Sequence, residues 1–372
     1  MSRERSALWR LADLLAPDGP AAGIAETDLA DDVLARAEQE KLLPAVRSVL
    51  VARGAEPAVE RLRTAHLRNL ARNLALVDQV TGLLGALDRE GIPAVPLKGI
   101  DAVLEDLYAD WGARTMADLD ILVEPSSGQA AAHVLADLGY VPVGDELPGH
   151  HHLTPMSARG RVGVVEIHIG LLDRPVPDFL DPRDVLARAS RHPDRPGLRL
   201  DRTDAATHLI DHAQHATTAH RVELDVRALH ETALVVRRVP EVEWDQVRDR
   251  FARAGCLERF DAHLAATAEL FAVRPPVRLG RAGRWVARRE LFFDDHAVLG
   301  LVNRPGRRLA RLRRERLERY YGTPLSGGAT WRARARFLGE VATHRRAEIA
   351  RERERRSGPR PGDNGEAVTP PP

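Results

Sequence analysis

The 372 residues carry 55 lysines and arginines against 54 aspartates and glutamates, a formal net charge of +1, with 44% apolar and 29% charged residues. These are globular proportions that exclude a disordered chain, and the length allows two or three domains with cores of their own. No apolar run approaches the roughly 20 residues that cross a bilayer.

The opening residues Met1 to Trp9 hold charges and no continuous apolar stretch, so no secretory signal is expected. Cys256 is the only cysteine, which forbids an intrachain disulfide and favours a cytoplasmic protein. Its surroundings, Arg-Ala-Gly-Cys-Leu-Glu, suit a small buried hydrophobe better than a nucleophile.

Residues 1–90 read as a helical N-terminal cap. Ala7, Leu8, Leu11, Leu14 and Leu15 recur at helical spacing, as do Val33, Leu34 and Ala37, then Leu42, Leu43, Val46 and Leu50. A longer pattern runs from Val59 to Arg89 and stops near Gly91. The texture then changes into an α/β core over residues 91–170. A strand from Ile92 to Leu97 meets Lys98-Gly99 and a helix from Ile100 to about Tyr108. A second strand, Leu119 to Val123, precedes a helix opened by Pro125-Ser126-Ser127. Gly139-Tyr140 ends that helix, and Tyr140 to Val143 predicts a third strand. Residues 150–170 predict a hairpin whose return arm is the β-branched run Val162 to Ile169.

From about Leu171 to Ala272 the pattern is helical again, giving a third region over 171–275 that closes at Pro275-Pro276. Residues 276–356 form a basic helical region; from Asn303 to Arg356 arginines outnumber glutamates roughly three to one. Such a surface suits nucleic acid or a triphosphate, or is an ordinary solvated helix. Residues 357–372, rich in Pro and Gly, read as a disordered tail.

The chemistry concentrates in the core. Asp118 and Asp120 are two residues apart in a strand, so both carboxylates leave one face while Leu119, Ile121 and Val123 pack on the other. Paired acids on a rigid strand call for a cation, and for oxygen ligands that is Mg²⁺. Glu166 and His168 alternate with apolar residues in Val164-Val165-Glu166-Ile167-His168-Ile169, so they too share a face. Glu166 is the third carboxylate, to ligate metal or take a proton, and His168 contacts substrate or orients Glu166. Lys98-Gly99, at a strand-to-helix turn, supplies a mobile cation and a glycine past which a phosphate can approach backbone N–H groups. Arg114 would clamp triphosphate oxygens or hold the acidic strand end by a salt bridge.

Two histidine groups stand apart. His208, His212 and His215 fall on one helical face at offsets of four and three, a spacing open to metal binding, substrate contact (His212 foremost) or helix packing. His150, His151 and His152 are consecutive. From an extended strand they cannot all meet one metal, so a loop or phosphate-proximal role is expected.

In this order the motifs Leu97-Lys98-Gly99, Tyr108, Arg114, Asp118-Leu119-Asp120-Ile121-Leu122-Val123, Leu138-Gly139-Tyr140 and Glu166-Ile167-His168 resemble the uncharacterised nucleotidyltransferases of the polymerase-β-like superfamily, over about residues 30–275. The resemblance implies an α+β fold: a small mixed sheet flanked by a helical N-terminal segment and a helical C-terminal half. It implies two Mg²⁺ ions held by Asp118, Asp120 and Glu166, with the Lys98-Gly99 turn facing an NTP such as ATP. The chain departs from the wider superfamily in having Lys98-Gly99 where a Gly-Ser or Gly-Gly turn is usual, and in a longer interval to the aspartates.

The expected reaction is Mg²⁺-dependent transfer of a nucleoside monophosphate to a hydroxyl of a small molecule, peptide, protein or RNA. The alternatives are a decayed nucleotide- or RNA-binding regulator and a hydrolase using metal at His208, His212 and His215.

Overall fold

Apolar residues at helical spacing form four helices at the start of the chain: α1 (Ala7–Leu15), α2 (Asp31–Gln39), α3 (Leu43–Ala52) and the 30-residue α4 (Glu60–Arg89). Asp31 and Asp32 in the first turn of α2 meet the positive helix end, and Pro44 opens α3 where a missing N–H costs nothing. Gly91, at φ 68°, takes the left-handed conformation that ends α4.

The core follows: β1 (Ala94–Leu97), α5 (Lys98–Leu104), β2 (Asp118–Val123), α6 (Gly128–Asp137), β3 (Val141–Pro142), β4 (Met156–Ser157) and β5 (Val164–His168). Beyond it lie α7 (Pro182–Arg188), the two-stranded β6 (Ser190–Arg191) and β7 (Asp201–Arg202), then α8 (Val226–Arg238), α9 (Trp244–Arg253), α10 (Leu257–Phe271) and α11 (Arg281–Asp295). The fold is α+β, as expected.

This computed structural model describes residues 6–17, 29–54, 60–144, 150–171, 181–191, 201–202, 225–238, 242–253, 257–295 and 331–336. The chain divides into two units, residues 1–305 and 306–372. In the second, 331–336 is helical. The expected tail over 357–372 and Cys256 lie outside the described residues.

The five-stranded sheet has the order β1-β2-β5-β4-β3. β1 and β2 are antiparallel, β2 and β5 parallel, and β4 antiparallel to both β5 and β3. The expected hairpin is present, its entrance marked by a bridge between His152 and His168. The third strand is shorter than expected, two residues, because Val141 lies exposed at the sheet edge with little apolar contact to extend it.

Each face of the sheet feeds a different apolar cluster. Leu119, Ile121 and Val123 of β2 and Val165 and Ile167 of β5 pack on α4, α5 and α6. Leu122, with Val95 and Leu97 of β1, joins the cluster of α1–α3 and α8–α11. A fully buried side chain of this size contributes about 1.5–3 kcal/mol, so the faces cannot exchange. Asp118, Asp120, Glu166 and His168 have the parity of Leu122. The polar side chains therefore share the face of Leu122, on the side of α1–α3 and α8–α11.

Candidate active site

The parallel register sets Asp118 opposite Val164, Asp120 opposite Glu166 and Leu122 opposite His168. Three acids thus share one face of two adjoining strands, as the alternation of each strand predicts. Asp120 is 3% exposed, Glu166 is half-buried and Asp118 faces solvent at the start of β2. Ligand atoms of Asp120, Glu166 and His168 lie within 4.8 Å of one another.

Two cationic groups meet Asp120. Lys98 Nζ donates to Oδ1 at 2.6 Å, and His168 Nε2 is 2.7 Å from the same oxygen. Burial works to raise the Asp120 pKa, but Lys98 and His168 hold the carboxyl well below the usual range. Glu166 is likewise lowered: burial opposes, and the attraction of His168, whose Nε2 is 3.7 Å from Oε2, prevails. His168 is raised although burial and Lys98 oppose it, because its ring serves both carboxylates. Asp118 goes the other way. Loss of hydration at the crowded strand end raises it first, then the charges of Asp120 and Glu166, against Lys98 and Arg114. Since Asp118 stays open to solvent, the two like charges are the more telling cause. Its position is one that a cation would relieve.

Lys98 owes its reach to backbone geometry. Its φ of 56° places a non-glycine residue in the left-handed region, a conformation costing about 1–2 kcal/mol. Gly99 follows because a larger residue would be crowded: a Cβ there would lie 2.9 Å from Met116 Cγ and 3.3 Å from Arg114 Cζ. Arg114 is itself buried and ion-paired with Glu231 of α8, whose Oε1 also accepts from Tyr108 Oη at 2.7 Å. Its positive charge still acts on Asp118. Arg114 does form a salt bridge, but with Glu231 of α8 and not with the acidic strand end that the sequence suggested.

One polar stripe went unread in the sequence. Asn69 Nδ2 donates to the carbonyls of Gly112 (2.8 Å) and Arg114 (2.7 Å), and Asn73 Nδ2 to those of Trp111 (2.5 Å) and Arg114 (2.7 Å). Arg72 donates to Met116 and Ala117 at 2.9 and 3.0 Å. Gln79 clamps Gly163, donating to its carbonyl at 2.9 Å and accepting from its N–H at 3.1 Å. Helix α4 thereby fixes the segments entering β2 and β5. The available signal was four amide and guanidinium residues at helical spacing inside an otherwise ordinary amphipathic helix.

His150, His151 and His152 do not form an extended strand. The chain bends at His151, and the three rings gather with centroids 4.1–4.9 Å apart. The premise that set metal binding aside for them does not hold. His208, His212 and His215 lie outside the described residues. Among the described residues no helix is long and apolar enough to cross a membrane. Residues 27–272, more than half of the chain, match the family described as uncharacterised nucleotidyltransferase, while no curated protein matches.

Proposed function

Because the chain belongs to the uncharacterised nucleotidyltransferase family, we propose that it moves a nucleoside monophosphate from an NTP to an acceptor hydroxyl, releasing pyrophosphate, with Mg²⁺ required. The observation that carries this reading is the register of β5 on β2: Glu166 opposite Asp120, with Asp118 two residues along the same face. The oxygens of Asp120 and Glu166, with Asp118 two residues along the same face, suit a hard cation, while His168 Nε2 is engaged with Asp120. Both hydrogen bonds to Asp120 fall on Oδ1, so Oδ2 can serve a cation without breaking either. Two Mg²⁺ ions bound there would supply Lewis-acid stabilisation of charge on the triphosphate.

The side chains divide the remaining work. Asp118 and Asp120 hold the cations, and Glu166 ligates or takes the proton of the attacking hydroxyl. The hydroxyl oxygen bonds to the α-phosphorus as the bond to the bridging oxygen breaks, and that electron pair leaves with pyrophosphate. Lys98 exchanges Asp120 for a phosphate oxygen, beside Gly99, and Arg114 adds fixed positive charge behind Asp118. His168 keeps Asp120 and Glu166 aligned. His212 is assigned to substrate contact, and the basic region 276–356 to anionic acceptors such as RNA. On this reading a cap (1–90), core (91–170) and helical half (171–275) would enclose the substrate between sheet and helices, and the lone Cys256 supports a cytoplasmic reaction.

The test supplies each α-labelled NTP with Mg²⁺ and a host lysate. Label should pass to an acceptor, and Asp120→Asn should slow transfer by at least about 10²-fold, roughly 3 kcal/mol. Transfer by Asp120→Asn near the wild-type rate overturns the assignment.

A further inference from the structure

We propose that His150, His151 and His152 bind one borderline divalent cation, Zn²⁺ being the best match, through three nitrogen donors beside the carboxylates. The proposal does not rest on the transferase reading. Each of the three residues offers a ligand atom, and these atoms lie within 4.8 Å of one another. All three are half-buried, so water can leave while an ion can enter.

The segment is held before any ion arrives. Leu153 N donates to Ile167 at 2.9 Å, and Ile169 N and Gly170 N both donate to His151 O, at 2.8 and 3.0 Å. These bonds tie the histidines to the rigid β5, the kind of support a metal site needs. His152 is also fixed in tautomer. Its Nδ1 lies 2.7 Å from the Leu153 carbonyl, which can only accept, so Nδ1 carries a hydrogen and Nε2 is the nitrogen left for a metal. A backbone carbonyl on the far nitrogen is the usual arrangement behind a ligating imidazole.

That Nε2 lies 3.7 Å from Glu166 Oε2. The carboxylate adds negative charge beside the three nitrogens, which attracts a cation to the cluster. Nitrogen donors select Zn²⁺ and its neighbours over Mg²⁺. With Zn–N bonds of about 2.0–2.1 Å, binding draws the ligand atoms inward by about 1 Å through side-chain rotation. Three imidazoles leave a fourth position, and Glu166 Oε2 is the nearest carboxylate to fill it. Occupancy would then tie the histidine segment to the third acid of the neighbouring site.

The experiment uses the full chain, stripped with a chelator that is then removed. Zn²⁺ is measured by elemental analysis after gel filtration in millimolar Mg²⁺, and Cu²⁺ is used as an EPR probe for imidazole nitrogens. The expected result is one equivalent of Zn²⁺ in wild type and in Asp118→Asn/Asp120→Asn, with at least tenfold weaker binding in His150→Gln and His151→Gln. Wild type should show hyperfine structure from at least two imidazoles, a readout that needs no variant to fold. The proposal is overturned by no binding in wild type, by binding lost with the aspartates and kept without the histidines, or by equal binding in every variant. Because no arm measures transfer, loss of this proposal leaves the transferase reading standing, and the converse.

Discussion

Replacing Gln79 by leucine isolates the contribution of α4 to the site. Gln79 is 3% exposed and makes two buried bonds to one residue, donating to Gly163 O at 2.9 Å and accepting from Gly163 N at 3.1 Å. Water cannot replace them easily, because Gly163 is closely packed: a Cβ there would lie 2.5 Å from Leu76 Cδ2 and 3.3 Å from Leu119 Cγ. Each orphaned backbone group costs about 1–3 kcal/mol, and the extra apolar burial of leucine returns about 1–2 kcal/mol. For the two groups together the expected loss centres on about 2.5 kcal/mol of unfolding free energy, read from urea titration at constant m-value. Asp78→Ala, one residue away but 82% exposed in its side chain, should move stability by less than about 0.5 kcal/mol. Gly163 immediately precedes β5, and a one-residue slip there would turn Glu166 to the opposite face, so transfer should fall beyond what unfolding explains. If Gln79→Leu unfolds within about 0.5 kcal/mol of wild type, the clamp is not holding the strand.

Glu231→Ala should destabilise by about 3–5 kcal/mol, since it strands the buried Arg114 guanidinium and the Tyr108 hydroxyl; a wild-type melting temperature would contradict this. Gly99→Ala should cost about 1–3 kcal/mol through contact with Met116 and Arg114, and Met116→Ala in the same chain should relieve part of it. No relief would show that the clash lies elsewhere. Acid should weaken the fold through His230 and His263, both held by burial at about 4. Each is lowered from its unfolded value, so its neutral form is fully compatible with folding above about pH 6.5, and stability falls as pH drops toward 4 while the unfolded chain takes up protons. The loss should reach about 1 kcal/mol per histidine at pH 5.5; because the raised His168 works in the opposite sense, it is read in His168→Asn, where a urea midpoint unchanged between pH 8 and 5.5 would refute it.

The acids could be found in the sequence because strand alternation is local. Leu119, Ile121 and Val123 declare one face, and Asp118 and Asp120 must take the other; the same holds for Glu166 and His168 between Val165, Ile167 and Ile169. What partners these groups was not local. Glu231 lies 123 residues from Tyr108 in the chain, Gly163 lies 84 from Gln79, and no spacing rule links them. Element boundaries shifted for related reasons. The helix after Lys98 ends at Leu104 instead of near Tyr108, because Tyr108 is drawn to Glu231 and Asp106 takes a φ of 53°. The strand return runs from Val164 to His168 and not from Val162, since Val162 is exposed and Gly163 is taken by Gln79.

At about 1.5 Å per residue, the 30 residues of α4 form a rod of about 45 Å that contributes Leu62 to one apolar cluster and Leu76, Val80 and Leu87 to the other. A beam seated in both masses cannot leave one while remaining in the other. Loosening on the helical side is therefore transmitted to the sheet, and the segments that aim Asp118 and Glu166 hang from the same beam. Heat, denaturant or a destabilising substitution far from those acids should reach them together.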